Sequence, residues 1–234
     1  SVWNAGTSTW GGWLSEGLAV TEGSGGWSLK DVDLTAYSGE RVRIGFLHTA
    51  AQISSFVGVG WYIDDITVEQ TTPALTGDFE AGWVGWSADN GVWQVGTPTL
   101  VGPASCFGGT QCAGTILDGN YPPSTESHLV SASVQMPTVA GADTIHLRFQ
   151  EWFSYANSDS GQVQISVWNA GTSTWGGWVS EGTAIANASG GWSLRDVDLT
   201  TYSGERIRMG FLHFAETNFE SSGWYVDDIG ISVF

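Results

Sequence analysis

Two segments of the chain, "GWYIDDITV" from Gly60 and "GWYVDDIGISV" from Gly223, set paired carboxylates inside a run of apolar residues. Side chains alternate along a strand, so Tyr225, Asp227, Ile229, Ile231 and Val233 are expected on one face. Tyr62, Asp64, Ile66 and Val68 repeat the arrangement. One carboxylate per segment, Asp227 or Asp64, is thereby turned toward a core. Such a group needs a cation or several hydrogen-bond donors, because leaving it unpaired is costly. Calcium binds through roughly six to eight oxygen ligands. The "GDFE" stretch and the "LDGNY" turn offer Asp78, Glu80, Asp118 and Asn120, and Asp228 lies next to Asp227. Ca²⁺ is the expected partner, with an Arg or a group of N–H donors as the alternative.

Other chemistry finds less support. His48, His128, His146 and His213 are scattered, and His48 and His213 are copies of one strand position. There is no HExxH, no GxSxG and no phosphate-cradling glycine loop. Asp64 and Asp65 fall on opposite faces of a strand, so they cannot act together on one bond. The expectation is a protein without catalysis of its own. Cys106 and Cys112 bracket "CFGGTQC" and read as a small disulfide in an exported protein, or as two buried thiols. Of the 14 tryptophans, Trp10, Trp13, Trp175 and Trp178 recur in matching positions. Indole rings stack on sugars, which makes these four candidate ligand contacts; filling cores or repeat junctions is the alternative. Asn187-Ala-Ser189 is a candidate N-glycosylation triplet.

The elements that position these residues read as strands throughout. Val, Ile, Thr and aromatic residues alternate with polar ones between Gly, Asn, Asp and Ser clusters. Ile207, Met209, Phe211 and His213 share one face of "RIRMGFLHF", and Ile145, Leu147, Phe149, Glu151 and Phe153 share one face of "TIHLRFQEWF". The fold class is all-β, a two-sheet β-sandwich or jelly roll. The two "NAGTSTW" stretches, at Asn4 and Asn169, read as hairpin tips.

The chain also repeats itself. "SVWNAGTSTWGGW" occurs at Ser1 and at Ser166, an offset of 165 residues, and Gly26–Ala50 matches Gly191–Ala215 at the same offset. Residues 71–165 have no upstream counterpart. Residues 1–70 therefore read as the C-terminal half of a preceding repeat, and 71–234 as a complete one, whose halves are 71–165 and 166–234. Thr71, Thr72 and Pro73 form the expected linker. The first half-repeat is expected to be a slice of a longer array; packing on another surface, or adding strands to a neighbouring molecule, are the alternatives.

With seven Lys and Arg against 24 Asp and Glu, the formal net charge is −17. Such a chain repels phosphate backbones and anionic lipid, so nucleic acid and membrane surfaces are poor partners. No apolar run is long enough to span a bilayer and no signal-peptide pattern appears, which reads as a mature or trimmed segment.

The succession "DFEAGWVGW", "GVWQVGTPT", "CAGTILDGNYP", "SHLVSASVQMP", "IHLRFQEWF", "RIRMGF" and "GWYVDDIGI" resembles the MAM-type jelly rolls. It is also similar to the related bacterial modules of immune-inhibitor-type secreted peptidases and anchored surface proteins. The resemblance covers 71–234, and 1–70 resembles the last part of the same module. It implies a non-catalytic extracellular β-sandwich used in adhesion, recognition or assembly, with Ca²⁺ near Asp78, Glu80 and Asp227 or Asp228. Lacking the several cysteines of animal MAM domains, the chain is expected to be prokaryotic, extracellular or on the cell surface. The expected function is a structural stalk or self-assembling fibre built by contacts between copies of the chain. A multivalent glycan- or protein-binding module is the alternative.

Overall fold

The computed structural model describes residues 1–17, 19–21, 26–28, 30, 32, 34–37, 40–50, 58–68, 75 and 77–234. The linker expected at Thr71, Thr72 and Pro73 lies outside the described residues. By contacts the chain divides into two units, Ser1–Glu16 with Leu34–Thr72, and Gly17–Asp33 with Pro73–Phe234. Among the described residues, the helical turns Thr35–Tyr37 and Thr200–Tyr202 are both of the 3-10 type.

In the first unit β1 (Trp3–Asn4) and β2 (Thr9–Trp10) form a hairpin, with Trp3 opposite Trp10. Asn4 Oδ1 accepts the Thr7 N–H at 3.1 Å, and Ser8 adopts φ 52° to turn the chain. The core-type residues of this unit are open to solvent: Val42, Ile44, Phe46, Trp61, Ile63 and Ile66 are 37–58% exposed.

The second unit is an antiparallel β-sandwich. Its strands are β3 (Trp86–Ala88), β4 (Trp93–Gly96), β5 (Cys112–Thr115), β6 (Thr125–Ser131), β7 (Val134–Gln135), β8 (Ile145–Ser154), β9 (Ser160–Asn169), β10 (Thr174–Trp175), β11 (Val179–Ile185), β12 (Ser193–Asp198), β13 (Arg206–Ala215) and β14 (Gly223–Val233). One sheet runs β10-β9-β13-β6-β3, with β11 also on β9 and β7 on β13; the other runs β12-β8-β14-β5-β4. The all-β two-sheet expectation therefore holds. Alternation supplies the core: Ile207, Met209 and Phe211 from one sheet meet Ile145, Leu147, Phe149, Trp224 and Val226 from the other. The Phe149 and Phe211 rings join the layers edge to face at 5.0 Å.

The closing strand corrects one expectation. Trp224 and Val226, and not Tyr225 and Asp227, face the main core. A register shift between Asp227 and Gly230, with Asp228 at φ 49°, resets the alternation, so that Ile229 joins the core as expected. Tyr225 is fully buried on the other side of the sheet, in a separate cluster with Cys106 and Cys112. Further along, Val233 is 48% exposed. In the first copy Tyr62, Asp64, Ile66 and Val68 are all exposed.

Candidate functional site

Cys106 and Cys112 form the disulfide. The loop they close is held by carboxylates. Asp227 Oδ2 accepts the N–H groups of Phe107 and Gly108 at 3.1 and 3.0 Å, and its Oδ1 accepts that of Asp228 at 2.9 Å. Glu80 Oε1 accepts the N–H groups of Thr110 and Gln111 at 2.8 and 2.7 Å, while Oε2 takes the Thr110 hydroxyl at 3.0 Å. Trp192 Nε1 donates to Ser105 O at 3.0 Å and the ring covers Phe107. The buried carboxylate of the closing strand thus meets a row of N–H donors, as the sequence reading's alternative has it. Burial pushes the Asp227 carboxyl up to about 6 against the pull of those donors, whereas the loop N–H groups hold Glu80 below the usual carboxylate range.

The other metal candidates are more open. Asp78 is exposed, with Oδ1 3.4 Å from the Glu80 N–H; Asp228 is exposed with its carboxylate beside Gly108; Asp118 and Asn120 are exposed in the turn after β5. Asp64 accepts the N–H of Asp65 at 2.9 Å, the first-copy counterpart of the Asp227–Asp228 bond. Among the described residues no three His, Cys, Asp or Glu side chains converge on a point suited to a metal ion. Asn187 is exposed, as a glycan acceptor must be.

The outer face of the β9-β13-β6 sheet carries a second constellation. With Ile207 and Met209 turned inward, Arg206 and Arg208 turn outward and interleave with indoles. Arg206 lies over Trp168 (5.1 Å) and Trp175 (5.6 Å), and Arg208 over Trp175 (4.8 Å) and Trp178 (5.0 Å). The first copy builds the same ladder from Arg41 and Arg43 on Trp3, Trp10 and Trp13. Trp10, Trp175 and Trp178 are half-buried and Trp13 is exposed, so the four tryptophans singled out by their recurrence lie at the surface.

Beside Trp178 the ladder ends in a pocket lined by Asp89, Asn90, Glu126 and His128, and walled on another side by Ala19 and Thr21, whose N–H lies 3.4 Å from Asn90 Oδ1. The His128 ring stacks on Trp178 with centroids 5.0 Å apart and planes 13° apart. Its Nδ1 faces Asp89 Oδ2 at 3.0 Å and its Nε2 faces Gln164 Oε1 at 2.8 Å. With both ring nitrogens engaged and its face on Trp178, the His128 ring is held in place as a wall of the pocket. Sequence reading missed Asp89, Asn90, Glu126 and Gln164. The one signal for them was His128 two residues after Glu126, on the same side of one strand.

No family model matches the chain. Bacillopeptidase F of Bacillus subtilis (strain 168) is 28% identical over 172 residues, 72% of this chain and 11% of that protein. The chain thus spans about a tenth of that relative's length. Among solved structures, the CBM22-1 xylan-binding domain from Paenibacillus barcinonensis Xyn10C aligns over 68% of this chain and 92% of its own, with 13% identity and a TM-score of 0.42. The K3 cleaved adhesin domain of Lys-gingipain from Porphyromonas gingivalis W83 aligns over 68% and 97%, with 20% identity and a TM-score of 0.39. At such scores the fold assignment rests on the strands and sheets described above.

Proposed function

We propose that this chain is a non-catalytic, extracellular, adhesin-like β-sandwich module that binds carbohydrate on the outer face of its β9-β13-β6 sheet. The observation that carries the reading is the row of half-buried indoles, Trp168, Trp175 and Trp178, ending at the polar pocket of Asp89, Asn90 and Glu126. Indole edges left open beside the arginines supply apolar contact to sugar C–H groups, and the exposed Glu126 carboxylate supplies a directed hydrogen bond that fixes a sugar's orientation. A disulfide on the acid-lined loop suits an oxidising compartment. Recurrence of the ladder would add avidity when several copies meet one polymer.

Titration calorimetry against neutral and charged polysaccharides tests it. Trp175→Ala should weaken binding at least about tenfold without altering the circular dichroism spectrum. Absence of binding to every glycan at millimolar concentration would sink the proposal.

A second reading, a stalk or fibre built by repeat contacts, is favoured by the near-identity of the two hairpin tips. Asn169 Oδ1 accepts the Thr172 N–H at 3.2 Å as Asn4 does that of Thr7, and Ser173 repeats the φ of Ser8. Electron microscopy showing regular filaments would favour it over glycan binding. Calcium at the exposed pair Asp78 and Asp228 stays a proposal, read by whether Ca²⁺ raises the melting temperature and EDTA lowers it.

A further inference from the structure

The same pair of sequence stretches has two fates in this molecule: strands β13 and β14 in the sandwich, and solvent-exposed chain without strand pairing at 43–50 and 58–68 in the first unit. In the sandwich Ile207, Met209, Phe211, Trp224, Val226 and Ile229 are 0–4% exposed. Their sequence equivalents in the first unit, Val42, Ile44, Phe46, Trp61, Ile63 and Ile66, are 37–58% exposed. Six equivalent apolar positions, three of them with the same residue, are buried in one copy and wet in the other. What differs is the cover, since Phe211 packs on Trp86 and Phe149, and Trp224 on Trp93 and Phe149, all from residues 78–165.

The uncovered face is already set for that cover. Phe46 and Trp61 pack edge to face at 5.7 Å and 77°, matching the 5.4 Å and 61° of Phe211 and Trp224. Asp65 sits at φ 49° and donates to Asp64 Oδ1, the geometry in which Asp228 and Asp227 receive the disulfide loop. We propose that the face of Val42, Ile44, Phe46, Trp61, Ile63 and Ile66 is a docking surface for a half-repeat of the 78–165 type, with Asp64 as acceptor for the N–H groups of that half's disulfide loop. A second copy of the 234-residue chain does not suit the site, because its one such half already covers its own Phe211 and Trp224. Six exposed apolar side chains beside a preset acceptor call for an apolar partner that brings N–H donors in one register.

The test is to place a second copy of residues 78–165 ahead of Ser1, which recreates the Ile165–Ser166 junction, and to follow amide hydrogen exchange in both proteins. In the fusion, amides of 42–47 and 61–66 should gain protection by at least about 100-fold and approach those of 207–212 and 224–229, which serve as the internal reference. Asp64→Asn together with Phe46→Asp in the fusion should abolish that gain and leave the reference amides protected. The proposal is overturned if 42–47 stay unprotected while the reference is intact. It is equally overturned if the unfused chain is a dimer by light scattering with 42–47 already protected.

Discussion

Burying an ionisable side chain ties folding to pH, and His213 and Asp227 tie it with opposite signs. His213 is fully buried between Thr125 Oγ1 (3.2 Å) and Tyr155 OH (3.1 Å), and desolvation pulls its pKa down to about 3. The unfolded chain then binds the extra proton below the usual histidine value. Stability from this residue is complete above pH 6.5 and falls by about 3 kcal/mol by pH 4. Asp227 has its carboxyl raised to about 6, so the folded state binds the extra proton between pH 4 and 6. Acidification from pH 7 to 4 therefore returns about 2 kcal/mol. Urea unfolding at pH 7, 5.5 and 4 should show Asp227→Asn as more acid-sensitive than the parent and His213→Phe as less so. Parallel curves for all three would refute both assignments. Asp227→Asn should also lose stability at pH 7 by the same amount with and without EDTA, since its amide N–H₂ would face the Asp228 N–H and the lost partners are backbone donors.

At the scale of the element, β13 offers its neighbours a glycine where the stacked pair needs room. A Cβ on Gly210 would lie 2.9 Å from the Trp178 ring and 3.2 Å from the His128 ring. Gly45 bears the same relation to Trp13 at 2.9 Å, so the glycine and its tryptophan recur in both copies. Gly210→Ala should cost about 1–3 kcal/mol by thermal melt and change the tryptophan emission, because the ladder must shift off the sheet. Gly177→Ala, with nothing within 4 Å, is the control and should leave both unchanged. The disulfide loop is another such element. Its bond closes so few residues that the chain-entropy contribution is about 2 kcal/mol, and Glu80 and Asp227 grip the loop independently. Reduction should therefore lower the melting temperature modestly, without unfolding the sandwich.

Across the whole molecule the two copies of one sequence differ in what they bury. Phe211→Ala removes a ring that touches Trp86, Phe149 and Trp224, and should destabilise the sandwich by about 3–5 kcal/mol. Phe46→Ala changes a ring already 49% exposed, and should leave the main unfolding transition of the 234-residue chain within about 0.5 kcal/mol. Equal effects of the two substitutions, measured by urea unfolding, would mean that the first unit is as well packed as the second. The open face also predicts binding of the apolar dye ANS, reduced in Phe46→Asp.

Local pattern was enough for the all-β class and for the inward faces of β8 and β13, because alternation of side chains needs no knowledge of distant residues. The burial of Asp227 was legible on the same ground. Its direction was not. The register shift after Asp227 and the left-handed φ of Asp228 are set by pairing with β8 and by the loop from Phe107, so the period of two failed where tertiary contacts bent the strand. Asp89, His128 and Gln164 lie 36 or more residues apart in sequence and meet through the β3-β6-β13-β9 order. Repetition, read from the sequence alone, determined which positions are equivalent. Only the tertiary structure decided which of the equivalent faces is covered, because hydrophobic burial depends on the partner surface and not on the residue that seeks it.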